Sequence, residues 1–185
     1  GLIVAQQNQR QTFEKTKINH AQASQTKLPG KGEIEKQLID DALDATLTDP
    51  DDEDIYRAIR HDVEFQKGQK GRAVFCQTPG VFETSNGVLG IENSLTLLAM
   101  EPDKCHALYE KIARWAAIYA RNCLDVGVDI VHISDDWGEN ERMMMRPEVW
   151  REHIYPTESI TVEAARSAGG CVSVHCDGYF YEIGR

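Results

Sequence analysis

The chain has 185 residues, 41% of them hydrophobic and 27% charged, and its formal net charge at pH 7 is −10. This composition is typical of a globular domain with its own core, and the negative charge argues against nucleic acid or an anionic membrane surface as a partner. The sequence contains no apolar run long enough to span a bilayer and no signal-peptide pattern, so membrane insertion is not predicted.

Five cysteines occur in the chain, and none of them forms a Cys-x-x-Cys pair. An odd number without such a pair indicates neither a disulfide framework nor a zinc ribbon. A reducing compartment, the cytoplasm, is therefore predicted. The chain begins with Gly1 rather than methionine, which indicates a processed end or a fragment boundary.

Strand-like and helix-like segments alternate along the chain. The first half contains a strand end at 2–5, a polar stretch to about residue 33, helices at 33–47 and 51–66, and a buried strand at 72–78. Residues 81–93 are predicted to form a glycine-containing loop of the kind that carries function above a barrel. The second half contains the most regular helix, at 102–126, then a strand at 129–134, a helical stretch at 147–168 that Pro156 interrupts, and a strand within 170–178.

This order favours parallel βαβ units, because adjacent strands start roughly 40 to 55 residues apart. A complete barrel needs about 250 residues. The predicted fold is therefore α/β, a TIM (β/α)8 barrel that is partial or truncated in this chain. Residues 1–70 are interpreted as a polar and helical N-terminal segment of the barrel domain, and residues 71–185 as the barrel portion.

The strongest indication of chemistry is at the end of the last predicted strand. His175 and Asp177 are two residues apart and are predicted to share a face, with Ser173 below them. A histidine and a carboxylate at the carboxyl end of a barrel strand can hold a metal or relay a proton. A core histidine that only hydrogen-bonds Asp177 is an equal alternative. Cys176 is interpreted as a small buried hydrophobe, because alternation turns it to the opposite face.

The preceding strand ends in two carboxylates, Asp135 and Asp136. Adjacent carboxylates can raise each other's pKa, so both are candidate catalytic groups, and Asp136 is the stronger candidate because it shares the face of His132. For Asp135 the alternative is a turn cap. His132, Gln77 and Trp137 are predicted to contact the substrate, and for His132 the alternative is a histidine that only fills the barrel interior.

Two blocks of sequence resemble the uroporphyrinogen decarboxylase (URO-D) superfamily. One block begins Asp-Ile-Val-His-Ile-Ser-Asp-Asp-Trp-Gly at Asp129 and ends at Pro156, and the other is Val-His-Cys-Asp-Gly at 174–178. The resemblance covers the chain from about residue 72 onward. It is closer to the methyltransferase-like branch, whose members move methyl groups from corrinoid proteins to thiols, and it implies the (β/α)8 barrel fold.

The resemblance to that branch implies a zinc ion that binds the substrate thiol, held by a His-x-Cys motif and a later cysteine. His175 matches the histidine, and Asp177 stands in place of the cysteine, which implies a harder metal site. The implied partners are a small-molecule substrate and a corrinoid protein that serves as methyl donor.

Two alternatives stand beside methyl transfer. The first is uroporphyrinogen decarboxylation in porphyrin metabolism, which needs no cofactor. The decarboxylases carry an N-terminal arginine-rich motif. This chain matches it only at Arg10, with no second arginine at the distance that the motif requires. The second alternative is a non-catalytic barrel that binds a corrinoid or a tetrapyrrole.

Overall fold

A four-stranded parallel sheet forms the centre of the fold, as seen in a computed structural model that describes residues 3–5 and 30–184. The strands lie in the order β1 (Ile3–Ala5), β2 (Val74–Pro79), β3 (Ile130–Ser134) and β4 (Cys171–His175). Each strand pairs with the next one along the chain; Cys76 lies opposite Val131, which lies opposite Val172. Parallel strands joined in sequence order are the repeating pattern of an α/β barrel. The α/β class with a partial, barrel-like sheet is confirmed, and the complete barrel remains a prediction.

Helices connect the strands and cover one face of the sheet. Between β1 and β2 lie α1 (Lys31–Asp44) and α2 (Glu53–Asp62), which continues into a π-helical segment (Val63–Gln69). Between β2 and β3 lie α3 (Val81–Leu89), α4 (Ile91–Met100) and α5 (Pro102–Asp125). Between β3 and β4 lie α6 (Pro147–Val149), a π-helical segment (Trp150–Ile154) and α7 (Tyr155–Ser167). None of these helices is both long and apolar enough to cross a membrane.

Pro156 does not stop the helical run that it was predicted to interrupt. It lies in the first turn of α7, directly after the π-helical segment Trp150–Ile154. Proline lacks an N–H group, so it is tolerated at the first turn of a helix. The predicted interruption is therefore a change from π-helical to α-helical hydrogen bonding, and the chain stays helical through it.

The core lies between the sheet and α5, as the two-residue alternation of the strands predicts. In β2, Val74 and Cys76 are buried against the helices, whereas Phe75 and Gln77 are half-exposed on the opposite face. Helix α5 packs against them with buried residues that include Tyr119. Burial of an apolar side chain of this size contributes roughly 1.5–3 kcal/mol. The face that carries Gln77 is the one that a barrel interior would use.

The segment predicted as a glycine-containing loop, residues 81–93, is helical, so this prediction was wrong. It forms α3 and the start of α4, which meet at Gly90. A helix needs acceptors for its first N–H groups. For α3 these acceptors are the carboxylates of Asp135 and Glu158, which follow 52 to 77 positions later in the chain. The local sequence contains no sign of them.

Gly80 brings the β2–α3 turn into close contact with the end of β3. Its N–H donates to the carbonyl oxygen of Ser134 at 2.9 Å. A Cβ atom at this position would lie 2.3 Å from Asp135 Cβ and 2.3 Å from the Ser134 oxygen. Both neighbours belong to a packed strand end, so only glycine fits here without displacing them.

We expect Gly80→Ala to lower the free energy of unfolding by about 1–3 kcal/mol or more, because the added methyl group must push β3 away from the turn. Gly87→Ala is the matched control. Gly87 lies in the same helix, a Cβ there would meet nothing within 4 Å, and the change should raise stability by roughly 0.5–1 kcal/mol. Urea unfolding followed by tryptophan fluorescence measures both effects. Equal effects of the two substitutions would contradict the close contact.

Candidate active site at the carboxyl ends of the strands

The ends of β3 and β4 bring three potential ligands together. Asp136, His175 and Asp177 each offer one ligand atom, and these atoms lie within 4.8 Å of one another. His175 Nε2 is 2.9 Å from Asp177 Oδ1. The backbone N–H of Asp177 donates to Asp136 Oδ1 at 2.7 Å, which holds that carboxylate beside the pair. The predicted common face of His175 and Asp177 is therefore present.

Close backbone contact fixes the two loops that carry these residues. A Cβ atom on Gly138 would lie 2.4 Å from the Tyr179 oxygen, and one on Gly178 would lie 2.1 Å from the Gly138 oxygen. The N–H of Tyr179 donates to the Glu139 oxygen at 2.8 Å. The loop after β3 and the loop after β4 can approach this closely only because both positions are glycine.

His132 and Gln77 lie on the same face of the sheet as His175, one layer nearer its amino end. Gln77 is opposite His132 in the strand register, and His132 Nδ1 is 3.2 Å from Ser173 Oγ. The rings of His132 and His175 are 5.8 Å apart. Burial lowers the pKa of His132, and the neighbouring His175 lowers it further, so the neutral imidazole is favoured. The substrate contacts predicted for His132 and Gln77 remain predictions, and both side chains are placed to make them.

Asp135 and Trp137, two other predicted site residues, lie in the protein core and not in the ligand cluster. Asp135 is fully buried; it accepts the N–H groups of α3 at 2.6 and 3.2 Å and the indole N–H of Trp137 at 2.7 Å. Trp137 is also buried and packs edge-to-face on Trp150, with ring centroids 5.1 Å apart. Adjacent residues of an extended chain point to opposite sides, so Asp136 faces the ligand cluster and Asp135 faces the core. The catalytic role predicted for Asp135 and the substrate contact predicted for Trp137 gain no support from these positions.

The carboxyl group that interacts with Asp135 is Glu158 of α7, not Asp136 as the sequence suggested. Burial raises the pKa of both groups, and the charge of Asp135 and its hydrogen bond raise the pKa of Glu158 further. The N–H groups that donate to Asp135 stabilise its charged form and therefore lower its pKa, against the effect of burial. Burial and the charge of Asp135 therefore favour the protonated form of Glu158 over that of Asp135.

Cys176 faces away from the ligand cluster, as strand alternation predicts. Its Sγ accepts the backbone N–H of Trp137 at 3.3 Å. On this side of β4 lies an apolar groove of about 410 Å³, bounded by α7 and the segment 178–184. The groove is thus separated from the polar cluster by the strand itself.

Glu83 is a residue of this region that the sequence interpretation missed. It lies in the first turn of α3, is half-buried, and its Oε2 accepts the hydroxyl of Ser134 at 3.1 Å. Burial raises the pKa of Glu83; the Ser134 hydrogen bond lowers it, Asp136 and Asp177 raise it, and His175 lowers it. An acidic residue just after the end of a strand was the available signal. The contact that places Glu83 in the site is with Ser134, 51 positions later in the chain, and such a contact leaves no local pattern in the sequence.

The donor set fits a divalent metal ion. One imidazole and two carboxylates are ligands that zinc accepts. Two ligand atoms bonded to one tetrahedral zinc ion at about 2.0–2.2 Å lie roughly 3.3–3.6 Å apart. The three ligand atoms here lie within 4.8 Å of one another, and His175 Nε2 and Asp177 Oδ1, 2.9 Å apart, form an ion pair that would open slightly around an ion. The side chains are 42% and 78% exposed, so an ion and a substrate can both reach them.

Comparison with known proteins identifies a family and a solved structure with a similar fold. A model of the uroporphyrinogen decarboxylase (URO-D) family matches residues 43–183. A methyltransferase from Methanosarcina mazei has a similar structure, with a TM-score of 0.53 and 15% sequence identity over 65% of this chain and 35% of that chain. The match therefore spans about a third of the methyltransferase, and at this identity it indicates a shared fold. No curated protein sequence matches the chain significantly.

The buried pair of Asp135 and Glu158 should make stability depend on pH. A carboxyl group whose pKa is raised by folding stabilises the fold fully below its ordinary value, 4.5 for glutamate, and this contribution is lost as the pH rises through the raised value. We expect the free energy of unfolding to decrease from about pH 4.5 upward. In Glu158→Gln this decrease should be smaller, because the amide accepts the Val81 N–H and donates to Asp135 at every pH.

Glu163→Gln is the control for this prediction, because Glu163 lies exposed on the same helix. Urea unfolding of the three proteins across the pH range is the measurement. Parallel pH profiles for the wild type and Glu158→Gln would contradict a shared proton.

Proposed function

The chain belongs to the uroporphyrinogen decarboxylase family, and from this we propose that it transfers a methyl group from a corrinoid on a partner protein to a thiol or related small-molecule acceptor. The observation that carries the proposal is the cluster of Asp136, His175 and Asp177 at the carboxyl ends of β3 and β4. Active sites of barrel enzymes are built at this end of the sheet. The resemblance to the methyltransferase-like branch and the structural neighbour named as a methyltransferase support the same assignment.

In this proposal His175, Asp177 and Asp136 hold a zinc ion. Zinc bound to a thiol lowers the thiol pKa and so supplies a nucleophile at neutral pH. The acceptor's sulfur lone pair forms the new bond to the methyl carbon, the carbon–cobalt bond breaks with its electron pair left on cobalt, and the thiol proton is released. His132 and Gln77 contact the acceptor from the interior face, and Asp135 acts as a positioning residue through α3.

The negative charge of the site favours methyl transfer over the decarboxylation of a tetrapyrrole. A substrate with several acidic side chains would bring like charges against Asp136, Asp177 and Glu83, which costs free energy. A small acceptor with a neutral thiol avoids this cost. The cytoplasm is the proposed compartment, because all five cysteines are free thiols and three of them are buried.

The first test is metal content. We expect the purified protein to retain zinc after dialysis and His175→Ala to weaken zinc binding by about 100-fold or more, because the only imidazole of the cluster is removed and the loss of an outer-shell partner alone costs about 10–100-fold. His132→Gln is the matched control, since His132 lies beside His175 but outside the cluster, and it should keep its zinc. Elemental analysis gives the zinc content, and transfer from methylcobalamin to 2-mercaptoethanol gives the activity.

Two further assays, of uroporphyrinogen conversion and of corrinoid binding, separate the other functions. Conversion of uroporphyrinogen by a zinc-free protein would overturn methyl transfer in favour of decarboxylation. Retention of a corrinoid without turnover would overturn it in favour of a binding protein.

The second test concerns the residue that replaces the cysteine of the family motif. Asp177→Cys should tighten zinc binding by on the order of tenfold relative to manganese, because a thiolate is the softer ligand. Competition with a chromophoric chelator measures both affinities. Asp51→Cys, at an exposed carboxylate outside the cluster, should leave them unchanged. Equal zinc affinities in the wild type and Asp177→Cys would argue against Asp177 as a ligand.

A further inference from the structure

Glu83 adds a third acidic side chain to the mouth of the site, and it comes from a helix that contributes none of the three clustered ligands. We propose that Glu83 is the residue that binds the methyl acceptor, with its Oε1 atom accepting a hydrogen bond from the acceptor's polar hydrogen. This inference rests on the proposed methyl transfer. It defines the acceptor as a molecule that presents an S–H, O–H or N–H group to the site.

Hydrogen bonds hold both the backbone and the side-chain carboxylate of Glu83. Its backbone N–H donates to Asp135 Oδ1 at 2.6 Å, and its Oε2 accepts the Ser134 hydroxyl at 3.1 Å. Ser134 pairs with His175 in the register of β3 and β4. The carboxylate is therefore held at a set place relative to the ligand cluster before any substrate arrives, which lowers the cost of binding.

The second carboxylate oxygen of Glu83 is the free one. Among the residues that the structure describes, none donates a hydrogen bond to Oε1, while the side chain is half-buried. Oε1 is not among the fully buried side-chain atoms that lack a partner, so it is accessible from outside. A polar hydrogen of a bound acceptor can therefore reach it and form a hydrogen bond to a charged group.

Glu83 lies beside the ligand cluster because its carboxylate accepts the hydroxyl of Ser134, the residue opposite His175 in the strand register. The charges of Asp136 and Asp177, which raise the pKa of Glu83, and of His175, which lowers it, act on the same carboxylate. The group of three residues with ligand atoms within 4.8 Å of one another does not include Glu83. Its place is thus beside the ligands, where the group carried by a bound acceptor would lie.

The test compares variants for acceptor use and for metal content. The donor is methylcobalamin and the acceptor is 2-mercaptoethanol. We expect Glu83→Met to keep the wild-type zinc content and the wild-type KM for methylcobalamin, and to lower kcat/KM for the thiol by about 10- to 100-fold, the value of a hydrogen bond to a charged group. Ser134→Ala is the matched control, because it removes the hydrogen bond to Oε2 but keeps the carboxylate itself, and its loss should be several-fold smaller.

The outcomes separate the two proposals. If Glu83→Met binds zinc and uses the thiol like the wild type, the role of Glu83 is overturned and methyl transfer stands. Equal losses in Glu83→Met and Ser134→Ala would assign Glu83 a structural role only and also overturn the inference. Wild-type protein without zinc and without methyl transfer would overturn the proposed function, and this inference with it.

Glu83→Gln provides a second variant if Glu83→Met is unstable. It keeps the volume of the side chain and the contact with Ser134 but removes the charge. We expect a smaller decrease in kcat/KM for the thiol, and no decrease would again overturn the role of Glu83.

Discussion

The arrangement of the site depends on the carboxylate of Asp135, which binds the N-terminus of α3. Two N–H groups of the helix and the indole N–H of Trp137 donate to it, and the neighbouring carboxyl group of Glu158 accepts the N–H of Val81. Hydrogen bonds to a charged group contribute about 1.5–3 kcal/mol each, and together they offset a part of the cost of burying a carboxylate, whose pKa stays raised. The same interaction joins β2, α3 and the end of β3 into one unit.

This unit determines the positions of several side chains of the site. Because Asp135 faces the core, Asp136 must face the opposite side, toward His175. Because α3 begins at the end of β2, its first turn places Glu83 next to Ser134. The polar groups therefore come from three strand ends, and each is held by a contact with the backbone or a side chain of a neighbouring strand. Preorganisation of this kind is what a site for charge-dependent chemistry requires.

The parts that could be predicted from the sequence are those with local causes. Strand alternation is a property of a few consecutive residues, and it predicted the shared face of His175 and Asp177 and the opposite orientation of Cys176. The apolar repeat of α5 is equally local, and this helix was predicted with nearly its observed bounds. The family resemblance also came from short contiguous blocks, and the match to residues 43–183 confirms it.

The features that could not be predicted depend on contacts between residues that are far apart in the chain. Helix α3 contains Gly87 and has no capping side chain of its own, so its sequence resembles a loop until Asp135 and Glu158 are placed beside it. The buried position of Asp135 and the importance of Glu83 depend on the same contact. A pairing between residues far apart in the chain leaves no periodic pattern that could be recognised beforehand.

The contact between Gly138 and Gly178 has a consequence for motion. The two loops touch through their backbones without an intervening side chain, so there is no rotamer that could absorb a displacement of one loop alone. Asp136 and Asp177 must then shift together or not at all, and the spacing of the two carboxylates is maintained during any opening of the rim. Local unfolding should accordingly involve both loops in a single cooperative event, with amide hydrogens on either side of the contact showing the same free energy of opening in hydrogen exchange.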